Sequence, residues 1–334
     1  MPYKTIERQE SMIVKKLIGI FICIIGLMIF FYPNFCEYKL HQEVKKIEAD
    51  IQNSNESSSA NKTDDSSADN TTDSNTSSQK SEESVISYDR LYREMVEYNE
   101  NLFNDGQKLT DVFSYEDVPV DLSEFGTDSA IGYINIPSID CSLPLYLGAS
   151  LDHLSRGAAV MGNTSMPIGG ESTNCVIAGH RGYQGVAFFR NINNISVGDL
   201  VEIVNPWETL HYKAVSTEIV VPTDKEPLLI RKGEDAVTLV SCHPYMGGGK
   251  QRIVVHCVRD ESSVSVSEDA TVKETQNEVT DISNSSSNSS VVTRTDDNES
   301  FIIIEDILRM AIPIMIIVLL AIILFPHKRN KKNK

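Results

Sequence analysis

The chain carries six cysteines but no pair at Cys-x-x-Cys or Cys-x-x-His spacing, which argues against a structural zinc site. Scaffold-like cysteine spacing is missing too. Cys23 lies inside an apolar run and Cys36 at its edge, while Cys141, Cys175, Cys242 and Cys257 are scattered. A Cys141–Cys175 or Cys175–Cys257 bridge remains compatible with the sequence. Mostly free thiols suit a cell envelope that does not routinely oxidise its proteins. Positive charge is also scarce: 30 Lys and Arg face 47 Asp and Glu, a net charge of −17, so there is no electrostatic reason to bind nucleic acid. Aromatic residues are absent from residues 52–84 and 261–300, which are rich in Ser, Asn, Asp, Thr and Glu. Such stretches cannot bury enough surface to offset ordering entropy and read as solvated tethers. No internal repeat is present.

Charge is lacking altogether in two places, the twenty residues Leu17–Cys36 and the seventeen residues Met310–Pro326. Each approaches the length that crosses about 30 Å of hydrocarbon as a helix, the second only just. Pro33 and Pro313 are expected near helix ends, where proline is tolerated. Lys4, Arg8, Lys15 and Lys16 precede the first run; Lys328, Arg329, Lys331, Lys332 and Lys334 follow the second. The positive-inside rule then expects a two-pass protein of the cell membrane, both termini cytoplasmic and the middle outside. The first run lacks a small-x-small cleavage pattern, so it is expected to stay as an anchor rather than be removed as a signal peptide. Residues 1–36 sum to +2 and residues 310–334 to +5, leaving −24 for the stretch between.

What is present resolves into segments. Residues 1–36 form the anchor, and 37–84 a juxtamembrane helix, with Leu40, Val44, Ile47 and Ile51 at helical spacing, followed by a disordered linker. Residues 85–129 hold an N-terminal helix and a possible lid. Tyr88, Leu91, Tyr92, Met95, Tyr98 and Leu102 make that helix amphipathic, with Ser87 able to cap it and Gly106 to end it. From Ile131 short apolar runs recur: 131–136, 141–147, 158–161, 175–178, 200–204, 210–221, 236–241 and 252–258, separated by turn residues. Eight strands without long intervening helices predict an all-β barrel or sandwich over residues 130–260. Phe188, Phe189 and Ile192 are expected in a short helix packed on it. Residues 261–306 form a second linker and 307–334 the second transmembrane helix with its basic tail.

The chemistry is concentrated at strand ends. Ala236-Val-Thr-Leu-Val-Ser-Cys242 ends an apolar run on a thiol, Arg252 opens the next run, and Cys175-Val-Ile-Ala-Gly-His180 ends another on an imidazole. A thiol is only a few per cent thiolate at neutral pH, and nearby cations favour the reactive form. His180 could protonate a leaving amine and deprotonate an incoming one. Arg252 offers a rigid fork of donors to a carbonyl oxygen that becomes negative. Taken singly, each has an ordinary reading: a small buried hydrophobe, a loop histidine, a solvated charge. His243 and His256 are rival imidazoles, and His243 is placed to tune the thiolate.

The combination resembles the sortases. Thr238-Leu-Val-Ser-Cys242 is similar to the signature Thr-Leu-x-Thr-Cys, with serine for the second threonine. Over about residues 131–260 the similarity is strongest to class C, the pilin-polymerising sortases. It rests on Ile131-Gly-Tyr-Ile-Asn-Ile-Pro, Leu143-Pro-Leu-Tyr, residues 162–173, Gly179-His-Arg-Gly and Cys242-His-Pro-Tyr, and on the second apolar run. The resemblance implies an eight-stranded sortase-type β-barrel and a catalytic set of His180, Cys242 and Arg252, with no metal or organic cofactor. It implies cleavage of a Leu-Pro-x-Thr-Gly-like sorting motif between Thr and Gly, in surface proteins or pilins of a Gram-positive cell. The acyl group would pass to a pilin lysine or a lipid-linked peptidoglycan precursor. The Asp-Pro-aromatic tripeptide common in class C lids is missing from residues 110–121, where Asp111 and Phe113 flank a valine. A cysteine hydrolase and a non-catalytic peptide-binding module are the competing readings.

Overall fold

A computed structural model describes residues 3–60, 78–109, 129–183 and 185–260, with isolated helical positions between 304 and 316. The lid candidates Asp111 and Phe113, the linker 261–300 and most of the second apolar run lie outside the described residues. The chain divides into two compact units, one holding the N-terminal helix up to Lys39, the other starting at Leu40 and holding the β-rich part.

The first helix, α1, spans Tyr3–Ala60 with Pro33 inside it. The sequence places Pro33 near a helix end and a separate helix after it; instead the apolar run and the Leu40/Val44/Ile47/Ile51 pattern join in one helix. Both stretches already have helical periodicity, and extending an existing helix is far easier than nucleating a second. The most apolar window has a mean hydropathy of 2.1 and none of it is buried, so α1 is long and apolar enough to cross a membrane. Beyond Lys39 the helix meets the β-rich unit. Tyr146 Oη donates to Glu43 Oε1 (2.9 Å), Arg156 lies 3.7 Å from the same carboxylate, and the Arg156 guanidinium sits over the Tyr146 ring.

The second helix, α2, spans Ser78–Asp105, so Ser87 is interior rather than a cap, and both helices reach into the Ser/Asn-rich stretch read as tether. Gly106 ends α2 as expected, in a left-handed conformation (φ 84°) with its N–H on Leu102 O. Leu91, Met95 and Leu102 are buried, and Tyr88 and Tyr92 pack against Trp207.

Eight strands follow: β1 Gly132–Ile136, β2 Cys141–Leu147, β3 Ala158–Val160, β4 Thr173–Ala178, β5 Leu200–Val204, β6 Thr209–Val220, β7 Asp235–His243 and β8 Gln251–Arg259. A short helix α3, Leu151–Arg156, is capped by Ser150 Oγ accepting from His153 N–H. The strands close into a barrel in the order β1-β2-β3-β4-β7-β8-β6-β5. The sheet is mixed: β2–β3 and β4–β7 are parallel pairs, the other pairs antiparallel. Strand β1 alternates buried and half-buried residues, as a strand with one wet face should, whereas β4 is buried throughout. The expected helix near Phe188 is a 3-10 turn, Ile192–Asn194, with Phe189 and Ile192 fully buried.

Candidate active site

Strands β4, β7 and β8 are neighbours in the barrel, and their register decides what can meet. Val240 pairs with Ala178 on one side and Val254 on the other; Cys242 pairs with Arg252. Side chains alternate across a sheet, so Ala178, Val240 and Val254 share one face, where they join one buried apolar cluster. Cys242 and Arg252 lie two residues further along that face. The chain past β4 keeps to β7: Gly179 N–H donates to Val240 O (3.1 Å) and Ser241 Oγ donates to Gly179 O (2.7 Å). Cys242 and Arg252 therefore pair at one end of β7 and β8, and His180 lies two residues past the end of β4, on the segment tied to β7 through Gly179.

The loop between β7 and β8 folds back against Cys242 and Arg252. Arg252 is buried, and its Nη1 donates to Gly249 O (2.6 Å) and Gln251 O (3.0 Å). Gly249 has φ 67°, and a Cβ there would stand 3.4 Å from Cys242 Sγ and 3.5 Å from Arg252 Nη1. Thiol and guanidinium thus converge on the same glycine, and a larger residue would stand between them.

Of the four barrel cysteines, Cys242 alone is only partly buried; Cys141, Cys175 and Cys257 are buried. Burial pushes the Cys141 and Cys257 thiols up to about 12, and raises Cys175 as well. Those three are held as thiols and are poor nucleophiles. All three are free, so neither bridge left open by the sequence is formed.

His180 is half-buried, and desolvation lowers its pKa from the ordinary 6.5. Its ring stacks on Tyr183 (centroids 4.8 Å apart) and meets the edge of Phe188 (6.5 Å). Phe188 has φ 45°, a strained conformation for an aromatic residue, in the turn that bonds back to His180 O through Phe189 N–H. The two rival imidazoles are occupied elsewhere. His243 accepts from Arg181 Nη1 (2.6 Å). His256 is buried down the barrel against Thr238, Arg231 and Glu234. The sequence suggests no role beside the thiol for Arg181, Tyr183, Phe188 or Gly249; the run Gly179-His-Arg-Gly is the one available pointer, since a charged residue directly after the imidazole has to be accommodated. A cavity of about 480 Å³ lined by Tyr92, Asn99, Phe103 and Ile168 also includes Thr173, at the opposite end of β4 from His180.

Among the described residues no group of His, Cys, Asp and Glu could hold a metal ion. A partly exposed thiol paired across the strands with a buried guanidinium is the kind of arrangement that can serve acyl transfer through a thiol.

The sortase domain family matches residues 134–260. The chain is 31% identical to sortase A of Staphylococcus aureus over 157 residues, 45% of this chain and 70% of that protein. It is 26% identical to sortase D of Bacillus subtilis over 132 residues, 39% of this chain and 64% of that protein, less than two thirds of its length. Among solved structures, sortase C of Clostridium perfringens with the C-terminal cell wall sorting motif shares 33% identity at a TM-score of 0.44, over 52% of this chain and 89% of that one. The chain belongs to the sortase family, whose members are cysteine transpeptidases.

Proposed function

We propose that this protein is a membrane-anchored sortase of class C type that cleaves a Leu-Pro-x-Thr-Gly-like sorting motif and joins the acyl fragment to an amine. Cys242 Sγ attacks the Thr carbonyl carbon, and Arg252 donates to the oxygen as it becomes negative. His180 gives a proton to the departing glycine amine as the peptide C–N bond breaks, leaving a thioester on Cys242. An amine then attacks the thioester and passes its proton to His180 as the C–S bond breaks, which returns the sulfur as a thiolate beside a protonated imidazole, ready for the next cycle. The amine is a pilin lysine or a lipid-linked peptidoglycan precursor. The class C assignment rests on the matching segments quoted above and on the second apolar run. Domain bounds, two-pass topology and an extracytoplasmic barrel follow the charge pattern at the two ends of the chain.

The observation that supports this reading is the pairing of Cys242 with Arg252 across β7 and β8, with the segment that carries His180 tied to β7 through Gly179. Incubation with a sorting-motif peptide should give a covalent thioester adduct detectable by intact mass, and Cys242→Ala should give none. Adding an amine should convert the adduct to a ligated product. Wild-type-like turnover by Cys242→Ala would end the proposal, and release to water regardless of added amine would favour the hydrolase.

A further inference from the structure

Arg181 and His243 directly follow His180 and Cys242 in the sequence, His243 as the last residue of β7 and Arg181 in the bend past β4. Arg181 Nη1 donates to His243 Nδ1 at 2.6 Å, Nη2 donates to Asn193 Oδ1 at 2.9 Å, and Nε donates to Arg190 O at 3.4 Å. Both partners are buried, Arg181 5% and His243 3% exposed. We infer that the Arg181–His243 pair is a clamp behind the active site that positions His180 against Cys242, an inference that rests on the function proposed above.

The β7–β8 ladder includes Cys242 and Arg252, but the β4–β7 ladder does not reach His180. The parallel β4–β7 pairing ends at Ala178↔Val240, two residues short of His180 and Cys242. Past that point the tie passes to Gly179 N–H on Val240 O, then Ser241 Oγ on Gly179 O, then Arg181 on His243. Side chains take over where the ladder stops, and the last tie lies one residue beyond the reacting groups on both segments. An imidazole that must serve a neighbouring sulfur tolerates little misplacement; a 1 Å error can cost about 10²-fold in rate.

The chemistry of the pair adds a second effect. A guanidinium has donors only, so His243 Nδ1 must present its lone pair. The imidazole beside Cys242 in sequence is thereby engaged and kept from acting as a competing base. Asn193 and the Arg190 carbonyl hold the guanidinium from the other side, so Arg181 can shift only if the 3-10 turn Ile192–Asn194 shifts with it.

The test measures single-turnover acylation of a sorting-motif peptide by the full chain in detergent, for wild type, Arg181→Ala, His243→Ala, His243→Asn and the double alanine variant. An asparagine side chain offers an acceptor close to the position of Nδ1. Expected are at least ~10-fold losses in kcat for both single alanine variants with KM within about twofold, recovery to within about threefold in His243→Asn, and a double variant no slower than the slower single. A wild-type-like His243→Ala, a His243→Asn as slow as His243→Ala, a loss carried by KM, or losses that multiply would each overturn the clamp. Should Arg181→Ala fail to fold, the His243→Ala and His243→Asn pair decides alone. Absence of acylation in wild type would instead strike the proposed function, so the two failures are distinct.

Discussion

Ser241 shows how one hydroxyl can serve a thiol it never touches. It replaces the second threonine of the Thr-Leu-x-Thr-Cys pattern, and its Oγ donates to Gly179 O, fixing the backbone that carries His180. Any hydroxyl residue there can make the bond, so Ser241→Thr should keep acylation near wild type. Ser241→Ala should slow it and lower the melting temperature, because it leaves a buried carbonyl without its donor. His180→Ala and Arg252→Ala should each lose at least ~10²-fold in kcat/KM for a sorting-motif peptide, the usual scale for an acid/base group or an oxyanion donor. A smaller loss in either would remove that residue from the proposed mechanism. His180, Cys242 and Arg252 could be proposed from the sequence because each sits at the end of an apolar run, in a family-like order. Arg181, Tyr183 and Gly249 could not, because their roles depend on which strand lies beside β4 and on how the β7–β8 loop folds back over the sulfur. Neither is encoded locally.

At the level of elements, recurring short apolar runs between turn residues exposed all eight strands, and two of them, Cys141–Leu147 and Leu200–Val204, match the sequence reading at both ends. The parallel β4–β7 pair was hidden, since parallel and antiparallel core strands carry the same apolar pattern. Helix ends were the weakest reading: neither Pro33 nor Ser87 ends a helix, because each lies within a longer helical run. Further along the barrel from Cys242 and Arg252, strands β4, β7 and β8 are joined by a buried polar chain. Thr238 Oγ1 on β7 donates to Asn174 Oδ1 on β4 and lies 3.2 Å from His256 Nδ1 on β8, while Arg231 Nη1 donates to His256 Nε2. Desolvation lowers the His256 pKa from 6.5; Glu234 and Glu218 oppose the shift and Arg231 reinforces it. The unfolded chain therefore binds the proton more readily than the fold does. The stabilisation is full above about 6.5 and is lost as pH falls through that value toward the lower folded one. His180 acts in the same direction. The melting temperature should thus fall between pH 7.5 and 5.5, and fall less in His256→Gln than in wild type. An equal drop in both proteins would remove His256 as a contributor.

Across the whole molecule, charge and hydropathy divide the labour. Net charge is −17, yet residues 1–36 carry +2 and residues 310–334 carry +5, so the acidic stretch between them is bracketed by basic ends. An acidic domain is repelled by an anionic lipid surface, whereas basic ends beside apolar runs are held on the cytoplasmic side. Helix α1 supplies one span by length and composition. Whether residues 310–326 supply another decides how closely the barrel is held, because two anchors confine it near the membrane more tightly than one. Removal of residues 1–39 leaves Leu40 onward, including the Glu43 contact with Tyr146 and Arg156, so the β-rich unit keeps its packing. Under the two-pass proposal the shortened chain, exported behind a cleavable signal, stays in the membrane fraction through high salt and alkaline carbonate and is released only by detergent. Its C-terminal lysines resist protease added outside intact cells stripped of their wall. Recovery of the shortened chain in the carbonate-soluble fraction would reduce the protein to a single N-terminal anchor and would also weaken the class C assignment, which leans on that second run.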